Sequence, residues 1–242
     1  MSITDCASGT NIQEVAAGIF RINIPSDKMP GGFSFNQYLV VDDEPLLFHT
    51  GHRTTFSLVR NAVAHVMPVE RLRYVGFGHI EADECGSLNE WLAVAPQAAP
   101  LCGSIAARVT INDMADRPAR SMADGEVLSL GTHQVKWLDA AHLPHGWEAG
   151  YLMEASTGTL FCGDLFTQPG KGEIALTQAD ILAPSEALRR KMDYFSHAPD
   201  TTALIEKLAG ESPTTLACMH GSAWQGDGAA LLRALGQRLG TT

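Results

Sequence analysis

Along the first third of the chain, apolar residues fall in short runs and alternations. Gly18–Asn23 alternates and Ser34–Val41 is a longer apolar stretch closed by Asp42-Asp43-Glu44-Pro45, a turn signal; Leu46–His49 follows as a third strand. The spacing then lengthens. Phe56, Leu58, Val59, Ala62, Val63 and Val66 recur at helical intervals, which predicts a helix over Thr54–Val66 that stops before Pro68. Leu72–Phe77 reads as a compact strand, Glu84–Val94 as a helix ending before Pro96, and Leu101-Cys102 with Ser104–Val109 repeats the strand-then-helix order.

From Gly125 the period returns to two. Glu126–Leu130, His133–Leu138, Tyr151–Glu154 and Thr159–Cys162 read as strands, with Gly131-Thr132 and Thr157-Gly158 as turns. Pro184–Phe195 and Thr201–Leu208 read as helices, Thr214–Cys218 as a last strand and Asp227–Leu239 as a closing helix. Strands, helices, strands and helices in that order predict an α/β protein, with two sheets packed face to face and helices on both outer faces. There is no internal repeat and no low-complexity linker, so a single domain over residues 1–242 is the simplest organisation.

Composition narrows the partners. Of the 242 residues 45% are hydrophobic and 18% charged, an ordinary balance for a globular chain, and the formal net charge of −10 disfavours nucleic acid and anionic membranes. No stretch approaches the roughly 18 uninterrupted apolar residues of a membrane helix. The first residues carry no basic cluster followed by an apolar run, so no secretory signal is expected. Five cysteines, an odd number without a CxxC pair, argue against a disulfide framework and fit a reducing cytoplasm.

The chemistry lies at strand ends. Gly-His-Ile-Glu-Ala-Asp-Glu, residues 78–84, directly follows an apolar strand, and alternation in an extended segment can aim His79, Glu81 and Asp83 at one point. One imidazole and two carboxylates suit a divalent cation such as iron, zinc or manganese; taken alone, a solvated acidic loop is an equally good reading. Three later positions tip the balance. His145 sits in the loop His-Leu-Pro-His-Gly-Trp-Glu, Asp164 follows Leu160–Gly163, and His220 precedes Gly221. Metal-ligand types at several strand ends can converge on one edge of a sandwich, and an aspartate between two ions can bridge them.

In order and context these segments resemble the metallo-β-lactamase superfamily: an early His-x-[His/Glu]-x-Asp, a later His beside Gly, a Gly-Asp after a strand and a final His-Gly. The resemblance runs from Phe35–Gly51 through His220 and implies one four-layer αβ/βα sandwich. Glu81 stands where hydrolytic members show a second histidine. That substitution resembles the flavodiiron proteins and their oxygen-binding single-domain relatives, and harder oxygen donors favour iron over zinc. Carried over by position, the resemblance implies two iron ions. His79, Glu81 and His145 hold the first, Asp83 and His220 the second, and Asp164 bridges them. The second histidine of the His-Leu-Pro-His pair ligates in that branch, which favours His145 over His142.

Glu84 departs from the pattern, because the family offers a histidine there as another ligand of the second ion. The glutamate either coordinates or turns away and opens the following helix. Around His145, His142 and Glu148 are candidate supports, Glu148 as the acceptor that orients His145 and His142 as a gate or proton relay. His49 reads as a turn residue hydrogen-bonded beneath the site, and His65, His133 and His197 as surface or cap residues. Cys162 and Cys218 read as small buried hydrophobes beneath the ions, and Trp147 and Trp224 as walls of the pocket or packing residues.

The resemblance implies a di-iron protein that binds or reduces O2 or NO, or senses oxygen. In flavodiiron relatives electrons reach the irons from FMN in a following flavodoxin-like domain. One helix remains after His220 here, so no FMN is expected in this chain and a separate electron-donor protein is, with a homodimer as a possible assembly. The alternative is a dinuclear zinc or manganese hydrolase of an ester, thioester, lactone or phosphoester. Few Lys or Arg residues near the motifs are placed to clamp an anionic substrate.

Overall fold

The computed structural model describes residues 1–240; the last two positions of the expected 1–242 domain lie outside the described residues. Two sheets face each other. The first is built in chain order from β1 (Ser2–Asp5), β2 (Thr10–Ala16), β3 (Ile19–Ser26), β4 (Phe33–Val40), β5 (Leu46–Phe48), β6 (Tyr74–Gly76), β7 (Ala99–Gly103) and β8 (Arg120–Met122). Its early strands are antiparallel, while β5, β6, β7 and β8 run parallel. The second sheet takes β9 (Val127–Ser129), β10 (Gln134–Asp139), β11 (Gly150–Glu154), β12 (Thr159–Gly163), β13 (Leu176–Thr177), β14 (Thr215–Cys218) and β15 (Ala223–Gln225), in the spatial order 13-15-14-12-11-10-9. Here β12 and β14 pair in parallel.

Three apolar layers hold the sandwich together. Between the sheets lie Tyr38, Leu46, Phe48, Trp137, Leu152 and Phe161, all at most 1% exposed. Outside the first sheet, helix Phe56–Ala64 buries Val59, Ala62 and Val63, and helix Leu88–Val94 buries Leu88, Trp91 and Leu92. Outside the second, helix Gly228–Leu239 buries Ala229, Leu232 and Leu235 at three-residue spacing, joined by helices Leu182–Met192 and Thr201–Gly210. Asp227 caps the closing helix by accepting the Ala230 amide at 2.9 Å. The result is the expected four-layer α/β sandwich.

Some elements differ from expectation. The helix expected over Glu84–Val94 is two pieces, Ala82–Cys85 and Leu88–Val94. The break is imposed by the neighbouring 50–51 loop. Ser87 spends its hydroxyl on the Thr50 and Gly51 carbonyls, and its amide on Thr50 Oγ1 and the Gly51 carbonyl, so the ladder cannot run through it. The helix expected over Ser104–Val109 extends to Met114 with a widened turn at Ala107–Ile111. His133 is not on the surface: it is 7% exposed, with Nδ1 3.1 Å from Glu154 Oε1 across adjacent strands.

Every parallel strand leading into the candidate site delivers its loop to the same edge. The His49 loop follows β5, the His79 loop β6, the Asp164 loop β12 and the His220 loop β14. Backbone bonds stitch the sheets there: the Gly150 amide donates to the Gly78 carbonyl and that of Asn36 to Met219, while Met219 in turn donates to Gly163 within the second sheet.

Candidate metal centre

His79, Glu81, His145 and Asp164 each present a donor atom within 4.8 Å of the others. His79 Nε2 lies 3.0 Å from both Glu81 Oε2 and His145 Nε2, His145 Nε2 lies 3.3 Å from Glu81 Oε2, and Asp164 Oδ2 is 3.5 and 3.6 Å from the two imidazoles. Four donors about 2.1 Å from one tetrahedral ion would sit about 3.4 Å apart, so these separations are those of a ligand shell. The other oxygen of Asp164 faces a second group: Oδ1 is 3.2 Å from His220 Nε2, which is 3.6 Å from Asp83 Oδ2. Asp164 thus divides its carboxylate between two clusters.

The histidine tautomers follow from their outer partners. His145 Nδ1 is 3.0 Å from the Tyr194 carbonyl and His220 Nδ1 is 2.8 Å from the Ser34 carbonyl. A carbonyl only accepts, so Nδ1 carries the hydrogen and the neutral ring aims its Nε2 lone pair at the centre. His79 Nε2 and His145 Nε2 face each other at 3.0 Å, and both face the Glu81 carboxylate. Two imidazole nitrogens that close are reconciled by a cation between them, a proton or a metal ion.

Electrostatics agree. Burial lowers the His79 pKa, but Glu84, Glu81 and Asp164 outweigh it and lift it to about 10. His145 is raised chiefly by its hydrogen bond to Glu81; His220 is lowered by burial, then raised further by Asp164 and Asp83. Hydrogen bonds from His145 and His79 hold the Glu81 carboxyl far below the ordinary range. Asp83 is raised, first by burial and then by the surrounding carboxylates. Cationic charge is therefore held at the centre in the ion-free protein, where a bound metal would replace it.

Glu84 stands apart from these donors. It is fully buried behind His79, where Oε2 accepts the Gly78 and His79 amides at 2.6 and 3.2 Å. Glu148 does not reach His145, whose Nδ1 is taken by the Tyr194 carbonyl; its Oε1 accepts the Ile80 amide at 2.9 Å and so braces the 78–84 loop. His142 is exposed, and its backbone pins the 142–146 turn to Gly146 and Ser196. His49 adopts φ 66° below the site, and Cys162 and Cys218 are buried on the strands that carry Asp164 and His220.

A cavity of about 260 Å³ opens onto the donors, walled by Met29, Phe33, Phe35, Met192 and Tyr194 with His52 at its edge. The tryptophans are elsewhere: Trp147 is 53% exposed, and Trp224 donates to the Ala179 carbonyl beside a separate hollow. Sequence reasoning missed the walls, although Phe33 stacks at 4.5 Å and Phe35 edge-on at 5.4 Å against His220. The signal available was the aromatic pair opening β4, next to the Ser34 carbonyl that fixes His220.

Across residues 33–221 the sequence matches the model of a single family, described as ODP family beta lactamase. The chain belongs to that family. Among curated relatives, this ODP-family chain is 26% identical over 207 residues to the rubredoxin-oxygen oxidoreductase of Megalodesulfovibrio gigas, covering 81% of this chain and 50% of the relative. It is 24% identical over 212 residues to the anaerobic nitric oxide reductase flavorubredoxin of Pectobacterium atrosepticum, covering 83% and 41%. The ODP-family chain thus spans half or less of these relatives' length. Solved structures share the fold: the rubredoxin oxygen:oxidoreductase from Desulfovibrio gigas superposes with a TM-score of 0.83 at 21% identity, covering 93% of this chain and 60% of that one. A 1–254 fragment of the Nostoc diflavin flavoprotein A 5 gives 0.80 at 18% identity, with 96% and 94% covered. The fold is that of the flavodiiron core.

Proposed function

We propose that this chain is a non-haem di-iron protein that binds and reduces O2 or NO, with electrons from a separate donor protein. The observation that carries this reading is the division of Asp164 between two donor groups, each with a further carboxylate, Glu81 in one and Asp83 in the other. The first ion would be held by His79, Glu81, His145 and Asp164, and the second by Asp83, His220 and Asp164. A donor set with this share of carboxylate oxygen suits iron better than zinc. When bound, an iron pair supplies the electrons and the open coordination positions that a diatomic ligand needs.

The chain's own residues do the rest. The Tyr194 and Ser34 carbonyls fix which nitrogen of His145 and His220 faces inward. Phe33, Phe35, Met29 and Met192 give the cavity an apolar wall, which favours a small uncharged ligand. His52, beside them with its ring edge-on to Phe35 at 4.7 Å, is placed to hand a proton into the cavity. Five free cysteines, four of them buried, support a reducing cytoplasm as the working compartment. Among the described residues no helix is long and apolar enough to cross a membrane.

The test is elemental analysis of protein purified anaerobically without chelators from cells supplied with iron and zinc, followed by O2 and NO consumption with a chemical reductant. Two irons per chain and consumption of either gas are expected. Predominant zinc under zinc limitation, with hydrolysis of esters or lactones, would overturn the proposal.

A further inference from the structure

Each of the three ligand histidines has an outer face, and His79 differs from the others there. His145 and His220 turn Nδ1 to backbone carbonyls. His79 turns Nδ1 to a buried carboxylate, with Glu84 Oε1 at 3.6 Å. That distance exceeds a hydrogen bond, so the restraint it exerts is one of charge. The same glutamate also grips the backbone of His79, because Oε2 accepts the amides of Gly78 and His79. On its far side Oε1 is 3.2 Å from Nε2 of His49, itself wholly buried. His49 is fixed in turn: its amide donates to the Gly76 carbonyl, its Nδ1 is 3.3 Å from the Asn36 carbonyl, and its backbone is left-handed. A file of side chains therefore runs His49, Glu84, His79 and then the centre, with the His79 ring between Glu84 and the donor cluster.

We infer that Glu84, backed by His49, is a positioning residue for His79 and so for the first ion, and that it is not a ligand of the second. The second ion then keeps only Asp83, Asp164 and His220 as protein donors among the described residues, and binds the more weakly of the two. The inference rests on the two-ion reading of the site. Outer partners of this kind are worth about 10–100-fold in metal affinity.

Titration of the metal-free protein with Co(II), read by visible absorption, separates the possibilities. His145→Ala and His220→Ala identify the spectral phases of the first and second sites. Glu84→Gln keeps the side-chain volume and removes the charge. Its expected effect is an affinity loss of about 10–100-fold in the phase that His145→Ala abolishes, with the His220-dependent phase and its spectrum unchanged. His49→Gln is expected to weaken the same phase by less, and it carries the test alone if Glu84→Gln does not fold. A loss confined to the His220-dependent phase would make Glu84 a ligand and overturn the inference, as would a variant indistinguishable from wild type. Wild-type protein that takes up a single Co(II) fails differently, because it removes the two-ion reading and this inference with it.

Discussion

At the scale of single residues, the centre is a competition between protons and a metal for the same lone pairs. His79 has its pKa raised from 6.5 to about 10 in the ion-free protein. A raised histidine stabilises the fold fully below its unfolded pKa and loses that contribution as pH climbs through the folded value. Metal-free protein should therefore lose stability between about pH 6.5 and 10, and urea unfolding at pH 6, 8 and 9.5 would show the midpoint falling along the series. With metal bound at His79 Nε2 that proton is gone and the slope should flatten. A midpoint for the metal-free chain that stays level across this range would mean the three neighbouring carboxylates do not hold a proton on His79. Arg21 illustrates what single residues conceal in a sequence. It is fully buried with no carboxylate partner among the described residues, and it ties down the loops that follow Asp164 and His220 by donating to the Gly172 and Gly221 carbonyls. Nothing in the alternation of β3 distinguishes it from a surface arginine.

At the scale of elements, glycines let strands press against one tryptophan. A Cβ on Gly150 would come within 2.3 Å of the Trp137 ring, and one on Gly103 within 2.9 Å. Gly150 also donates to the Gly78 carbonyl, at the root of the metal loop. Gly150→Ala should therefore destabilise by about 2 kcal/mol through overpacking, and it should weaken metal binding because the displaced strand pulls on residue 78. Denaturant unfolding and a metal titration on the same variant would check both, and retention of wild-type affinity would show that the 78–84 loop is anchored elsewhere. The long apolar strands and the amphipathic helices were legible in the sequence because burial on one face or both writes a period into the residues. The strands that were not legible are β1, β2, β8, β13 and β15. Most of them are two to four residues long and lie at or next to sheet edges, where half the backbone needs no apolar neighbour and no period has room to appear. The donor residues were legible because His, Glu and Asp are uncommon at the ends of apolar strands. Their supports were not, since a carbonyl such as that of Tyr194 or Ser34 leaves no mark on residue identity.

At the scale of the whole molecule, the site lies on the seam between the sheets. His79, Glu81 and Asp83 come from the first half of the chain, and His145, Asp164 and His220 from the second. Ions bound there would hold the halves together, and would stabilise the fold by their affinity for the native state alone. At free metal about a thousand times the dissociation constant this amounts to about 4 kcal/mol, or roughly 10 °C in melting temperature for a chain of this size. Calorimetry before and after dialysis against a chelator should show a drop of that order, reversed by adding iron back. A melting temperature indifferent to the chelator would mean that the apolar layer between the sheets holds the seam by itself.

The division of the ligands between the halves also bears on how the protein is made. All of β1–β8 precedes residue 123 and all of β9–β15 follows residue 126, so each sheet is the work of one stretch of chain. A chain emerging from the ribosome presents His79, Glu81 and Asp83 long before His145, Asp164 or His220 exist to answer them. During that interval the early trio alone would be an open, low-affinity chelate, with no more than the ordinary preference of nitrogen and oxygen donors among divalent metals. Geometric selection would follow once the second sheet has closed over the first, because only then do the cavity and the hydrogen-bonded imidazoles set the geometry that an entering ion must meet.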